Sequence, residues 1–243
     1  MGGALRALAG PVAAARLNPA ALGPERGFFT GTSYATRSSS ALDSLALTLV
    51  DNITSPMGGA IQYFRLNADE EREDLSLGLS VGKRGLWWGF TLRYVHGRNA
   101  DSADWHDVFT GDLGLLLERP TGTRFVVVGY DLAETPLDFL ERRIALGVSQ
   151  SGLGSFELEA DLIRNLDQDF SHGIDASVGA EYRISSWPCA LRLGQMWRGD
   201  NGKDYASAGF GWSFPWINLS YAVQKARQRS DEYLHVITLD GAL

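Results

Sequence analysis

Residues 74–82 read DLSLGLSVG, with leucine or valine at each odd position and only Ser or Gly at 76, 78 and 80. A period of two predicts a strand. In a soluble half-buried strand Leu75, Leu77, Leu79 and Val81 would enter a core. In a transmembrane barrel the same row would face lipid and the Ser and Gly row the lumen. The alternation recurs along the chain and predicts strands at 28–36, 42–51, 58–67, 74–82, 86–96, 106–118, 123–133, 139–150, 154–164, 171–184, 189–198, 204–214, 216–225 and 232–242, about fourteen in all. One face is apolar each time: Trp88, Phe90, Leu92 and Tyr94 alternate with Trp87, Gly89, Thr91 and Arg93, and Phe156, Leu158, Ala160 and Leu162 alternate with Glu157, Glu159 and Asp161.

The spacing supports closure into a barrel. Residues 28–243 divided among fourteen strands leave about 15 residues for each strand and turn, which suits membrane-crossing strands of roughly 9–11 residues with short connections. The connections also differ by parity. Those after even strands are short (GKRG at 82–85, SSWP at 185–188, FPW at 214–216), whereas those after odd strands are longer or more charged (NADEERED at 67–74, HGRNADSADWH at 96–106, KARQRSDE at 225–232). This asymmetry is that of an outer-membrane barrel with both chain ends on the periplasmic side. Trp88, Trp105, Trp187 and Trp216 fall near strand ends, where aromatic girdles lie. The expected fold class is therefore all-β, a closed antiparallel transmembrane β-barrel of about fourteen strands, with a soluble all-β binding domain as an alternative.

Composition narrows the function classes. The chain has 243 residues and is 44% hydrophobic, yet no apolar run reaches the roughly 18 residues of a membrane helix, so a membrane location requires a barrel. A net charge of −7 argues against a nucleic-acid partner. The single Cys189 excludes an internal disulfide. The start, Met1-Gly2-Gly3, lacks the charged head and apolar core of a secretory leader, so the expected outer-membrane location implies a leader removed or not included. No GxSxG, P-loop, HExxH or CxxC motif occurs, and His96, His106, His172 and His235 have no metal-ligand spacing. Neither a metal nor a cofactor is expected, and Asn52-Ile53-Thr54, a sequon in form, falls in an inner turn.

Residues 1–27 follow a different pattern, Ala-rich and weakly amphipathic, and are expected to form a segment separate from the 28–243 barrel. GGALRALAG followed by RLNPAALG, with Asn18, Pro19 and Ala20 at its turn, resembles the N-terminal hatch of the outer-membrane barrel family that includes FadL-type transporters and PorV-like proteins. Ala21 stands where many members have Gly. The resemblance implies a small plug folded into the barrel. Pro19 fixes its own φ and biases Asn18 away from helix, which suits a turn from lumen to wall.

The polar rows supply a candidate lumen network: Arg93, Asp112, Glu118, Asp131, Arg143, Glu157, Glu159, Asp161, Asp175, Glu181, Arg183 and Arg192. Pairs such as Glu157/Glu159 and Asp112/Glu118 have the residue types of an acid and a base, but carboxylates that share a wall with four arginines pair across the lumen, so no enzyme is expected. Two functions follow from the resemblance. One is a non-enzymatic scaffold of an envelope machine for secretion or surface motility, with the lipid bilayer and envelope proteins as partners. The other is a FadL-like passive transporter of hydrophobic small molecules. FadL-type proteins carry longer outer loops, and the inner row here is charged, which favours the scaffold.

Overall fold

The computed structural model describes residues 6–38, 43–68, 71–168, 173–199, 204–227 and 232–242. Residues 1–5 of the expected N-terminal segment and His172 lie outside the described residues. Fourteen strands follow one another around a closed barrel: β1 (Phe28–Arg37), β2 (Asp43–Asp51), β3 (Gly58–Asn67), β4 (Glu71–Lys83), β5 (Leu86–Arg98), β6 (His106–Glu118), β7 (Thr123–Tyr130), β8 (Arg143–Leu153), β9 (Phe156–Asn165), β10 (Ile174–Ile184), β11 (Cys189–Trp197), β12 (Asp204–Ser213), β13 (Ile217–Ala226) and β14 (Tyr233–Ala242). Every pairing is antiparallel between chain neighbours, and β1 closes on β14 in a register that runs from Phe29↔Ala242 to Arg37↔Leu234. Closure gives every strand two neighbours, as a sheet in hydrocarbon requires, although β7 ends at Tyr130 and pairs β6 only over Leu113–Glu118.

The alternation in DLSLGLSVG is resolved in favour of lipid on the leucine side. Leu75, Leu77, Leu79 and Val81 are each about half exposed, while Ser76, Gly78 and Ser80 are buried inside. The outward row of the other strands is likewise apolar, with Trp88, Leu113, Leu146, Leu162, Leu193 and Leu219 among its exposed members. Trp88, Trp187, Trp212 and Trp216 lie toward the end that carries the short turns, and Tyr34, Tyr94, Trp105 and Trp197 toward the other. An apolar belt bounded by aromatic residues on both sides is the surface of a membrane-spanning barrel.

Several predicted boundaries shift. The acidic stretch expected as a 67–74 loop is mostly strand, because Glu71 pairs with Arg98 across β4 and β5 at 2.5 Å and Arg72 and Asp74 turn inward. Conversely, 131–133 and 139–142 are not strand. Asp131 takes a left-handed φ of 51°, which breaks β7 after Tyr130, and the 131–142 connection folds back so that Leu137 and Leu140 are buried against Val95 of β5. Asn99 holds this connection by donating to the Pro136 carbonyl at 3.2 Å and accepting from the Asp138 amide at 3.0 Å.

The largest apolar cluster lies inside the barrel. A helix α1 (Pro11–Leu17) and a 3-10 turn (Pro19–Leu22) place Ala14, Ala15, Ala20, Ala21 and Leu22 against the inward Val50, Ala60, Leu116 and Val126, with Phe29 and Trp87 alongside. Pro11 begins α1, where its missing N–H costs nothing.

Candidate functional site

The lumen is built by residues 6–22 and the wall they touch. Asn18 ends α1 with extended backbone, as a residue before proline prefers, and its side-chain oxygen accepts from the Ala20 amide at 3.1 Å. Its amide group donates to the Arg6 carbonyl at 3.2 Å, so the turn also ties down the start of the segment. Ser80 of β4 donates to the Ala20 carbonyl at 3.0 Å, and Asn52 donates to the Leu22 carbonyl at 2.9 Å. The wall is cut away to admit this turn. A Cβ at Gly89 of β5 would overlap the backbone of Pro19 and Ala20, and one at Gly114 of β6 would stand 2.6 Å from the Asn18 side-chain oxygen. Tyr130 of β7 donates its hydroxyl to the Leu17 carbonyl.

All but two of the candidate polar residues fall into three groups. The first, toward the end with the longer loops, joins four of them: Arg93 grips both oxygens of Asp112 at 2.7 Å and reaches Asp131 at 3.3 Å, while Arg143 faces Asp131 at 3.7 Å. The Asp131 amide donates to Asp112 at 2.9 Å, so the chain reversal after β7 is itself part of the group. The second joins Glu159 and Asp161 of β9 to the N-terminal segment: Arg6 pairs with Asp161 at 3.0 Å and donates to the Tyr130 hydroxyl at 2.9 Å, and the Ala7 amide donates to Glu159 at 2.5 Å. Burial alone would lower the Arg6 pKa, but Tyr130 and Asp161 outweigh it and hold the guanidinium above its ordinary value. The third, toward the short-turn end, is a ladder from Glu157 through Arg183 (3.1 Å) and Glu181 (2.8 Å) to Arg192 (2.6 Å), which ends on Ser220 at 3.0 Å. Glu118 and Asp175 join none of these groups. Glu118 pairs with Arg124 at one rim, and Asp175 accepts from the Gly199 amide at the other.

Several members were absent from the sequence-based set. Arg72 and Asp74 form a fork-to-fork pair beside the first group, with the Arg72 guanidinium 5.8 Å from the Phe64 ring and 5.3 Å from that of Phe139. Their i, i+2 spacing on an inward row was the available signal. Arg16 lies over the Phe64 ring at 3.6 Å. Enclosure by the barrel, followed by the nearby Arg72, lowers the Arg16 pKa to about 10; Asp74 opposes this, and Arg93 and Arg143 add to it. Its side chain nevertheless stays open to the lumen, and it remains charged at neutral pH.

The interior is asymmetric. Contacts of α1 and the 3-10 turn fall mainly on β1–β6, and Arg6 and Ala7 reach β7 and β9. The inward Ser207, Gly209, Ser220, Ala222 and Gln224 of β12 and β13 are only half-buried. On this side, at the end with the longer loops, a cavity of about 130 Å³ is lined by Arg37, Met196, Arg198, Tyr205, Gln224, Ala226, Glu232 and Leu234.

These features define a transmembrane β-barrel with an N-terminal segment lodged against one side of its lumen. The fold is similar to that of the toluene transporter TbuX of Ralstonia pickettii, at a TM-score of 0.71 and 12% identity over 100% of this chain and 98% of that one. The toluene transporter TodX of P. putida gives 0.68 and 13% over the same shares, and the Acinetobacter baumannii outer membrane protein Omp33 gives 0.59 and 8% over 91% of this chain and 100% of that one. No protein-family model and no curated protein sequence matches the chain.

Proposed function

We propose that the chain is a bacterial outer-membrane barrel that passes small, largely apolar solutes by passive diffusion, with the longer loops outside and the short turns and both chain ends in the periplasm. The observation that carries this reading is the one-sided filling of the lumen. The N-terminal segment packs on β1–β6 and reaches β7 and β9 through Arg6 and Ala7, while on β12 and β13 the inward Ser207, Gly209, Ser220, Ala222 and Gln224 stay half-buried below a mouth cavity. Its volume of about 130 Å³ suits a single-ring solute, since an apolar cavity of about 150 Å³ accepts benzene. Met196, Tyr205 and Leu234 give that cavity apolar surface, and Arg37, Arg198 and Gln224 give it polar groups that can orient a guest.

Similarity to two toluene transporters and an outer membrane protein supports the conduit reading over that of a scaffold for an envelope machine. The charged inner row, which from the sequence weighed toward the scaffold, is largely consumed in ion pairs along the wall, and the β12–β13 surface carries small residues with Arg192 bonded to Ser220 toward the short-turn end. Uptake of a labelled small aromatic by cells that express the protein tests the reading. Uptake should exceed that of vector-only cells and fall when Ala222→Trp fills the open side. Uptake no greater than the vector control would overturn it.

A further inference from the structure

The arginine group above α1 is not electrically closed. Three carboxylates, Asp74, Asp112 and Asp131, stand among four guanidinium groups, those of Arg16, Arg72, Arg93 and Arg143. Arg72 spends two nitrogens, Nε and Nη2, on the two oxygens of Asp74, and Arg93 sets its Nη2 alone on both oxygens of Asp112. Asp131 is shared by Arg93 and Arg143, the latter at a long 3.7 Å. Arg16 has no hydrogen bond or ion pair among the described residues and lies over the face of Phe64. The ring takes one face of the guanidinium, the N–H donors lie along its edge, and Arg16 as a residue is exposed inside the barrel. The Arg143 Nε is likewise buried without a hydrogen-bond partner.

A planar cation with a free edge and a surplus positive charge is matched by a planar anion that can take two parallel hydrogen bonds, and a carboxylate is that anion. Phe64 and Phe139, which flank Arg72, give the same place aromatic surface for an apolar body. A neutral hydrocarbon would leave the surplus charge unanswered. We propose that Arg16 and the arginine group around it form a binding site for a small organic carboxylate that has an apolar or aromatic body, so that the solute taken by this barrel is an anion. The assignment rests on the conduit reading for its role in passage, but binding itself does not.

Binding of benzoate to the purified full chain in neutral detergent, by calorimetry at neutral pH and low salt, tests it, with benzyl alcohol as the uncharged analogue. Benzoate should bind more tightly than benzyl alcohol, and Arg16→Gln should weaken benzoate by about tenfold or more while leaving benzyl alcohol unchanged. Arg16→Lys, which keeps the charge but loses the fork, should fall between wild type and Arg16→Gln. Heat-modifiable migration of each variant establishes that the barrel is intact. Equal binding of benzoate to wild type and Arg16→Gln would overturn the site, and so would equal displacement of benzoate by inorganic phosphate or chloride at the same concentration. If benzoate binds through Arg16 but is not carried into cells, the conduit reading fails and the site stands. If neutral aromatics are carried and benzoate does not bind, the site fails and the conduit stands.

Discussion

Replacing Gly89 by valine should evict the N-terminal segment without unfolding the barrel. The Cβ of any residue at 89 would overlap the backbone of Pro19 and Ala20, atoms that cannot swing aside as a side chain can, so the turn must retreat by more than an ångström. What is lost when it retreats can be sized from its contacts. Leu22 is fully buried, worth about 2 kcal/mol, and Ala20 and Ala21 add about 0.8 kcal/mol each. The bonds from Ser80 and Asn52 to the turn carbonyls add about 1 kcal/mol each, which brings the docking of the turn to about 5–6 kcal/mol. The barrel closes through its own fourteen pairings and does not depend on this contact. Trypsin cleavage after Arg16, read by mass spectrometry on protein in detergent, gives the assay. Wild type should resist cleavage there, and Gly89→Val should be cut readily while still migrating as a heat-modifiable barrel. Gly59→Val, where the new Cβ meets only the Asp51 carbonyl at an ordinary 3.6 Å, should behave as wild type. If Gly89→Val resists trypsin as wild type does, the close approach of the turn to β5 is not what seats the segment.

Leu77→Arg, placed midway along the lipid-facing row of β4, should cost about 2–4 kcal/mol and lower the yield of folded protein in the membrane, whereas Leu77→Ile should be mild; equal yields would remove the leucine row from lipid. Topology predicts that Asp101→Cys on the β5–β6 loop reacts with an impermeant thiol reagent on intact cells and that Thr121→Cys on the β6–β7 turn does not, and the reverse labelling would invert the barrel. The Arg142–Asp167 pair, which ties the 131–142 connection to the β9–β10 loop at 2.5 Å, gives a pH dependence of known sign. Hydrogen bonds from Arg142 hold the Asp167 carboxyl below its ordinary range, so the tie is present above the unfolded value of about 4 and is lost only as pH falls through the lower folded value. Protease sensitivity of the 131–142 connection should therefore be flat from pH 8 to about 5 and rise only in stronger acid, and a rise near neutrality would contradict the assignment.

The barrel was legible because its signal is repeated. Period two over fourteen segments, combined with short and long connections in alternation, leaves little choice of architecture, and the half-exposed Leu75, Leu77 and Leu79 are the structural counterpart of that pattern. The interior was less legible because inward rows take their character from what they face. Val126 and Val128 make β7 apolar on both faces, and the reason is visible only in the fold: Val126 joins the cluster of the N-terminal alanines, and Val128 packs with Tyr130 and Ala145. Leu137 and Leu140 carry no periodic signal, and their burial depends on Asn99, more than thirty residues away in the chain. Among the polar candidates, Glu118 and Asp175 sit on the correct row but at the rims, where a carboxylate meets local donors before it can reach across the lumen. Arg6 and Arg16 were missed for a related reason. They belong to the N-terminal segment, so no strand alternation points them at the groups they meet.

The most direct measurement of the account is efflux of a small labelled solute from liposomes that contain the purified wild-type chain, compared with liposomes that contain Gly194→Trp, in which an indole fills the open side of β11. Efflux above protein-free liposomes with wild type, reduced toward that baseline by Gly194→Trp, is the predicted result. Efflux at baseline with wild type, or a rate that Gly194→Trp leaves unchanged, would contradict a passage beside the lodged N-terminal segment.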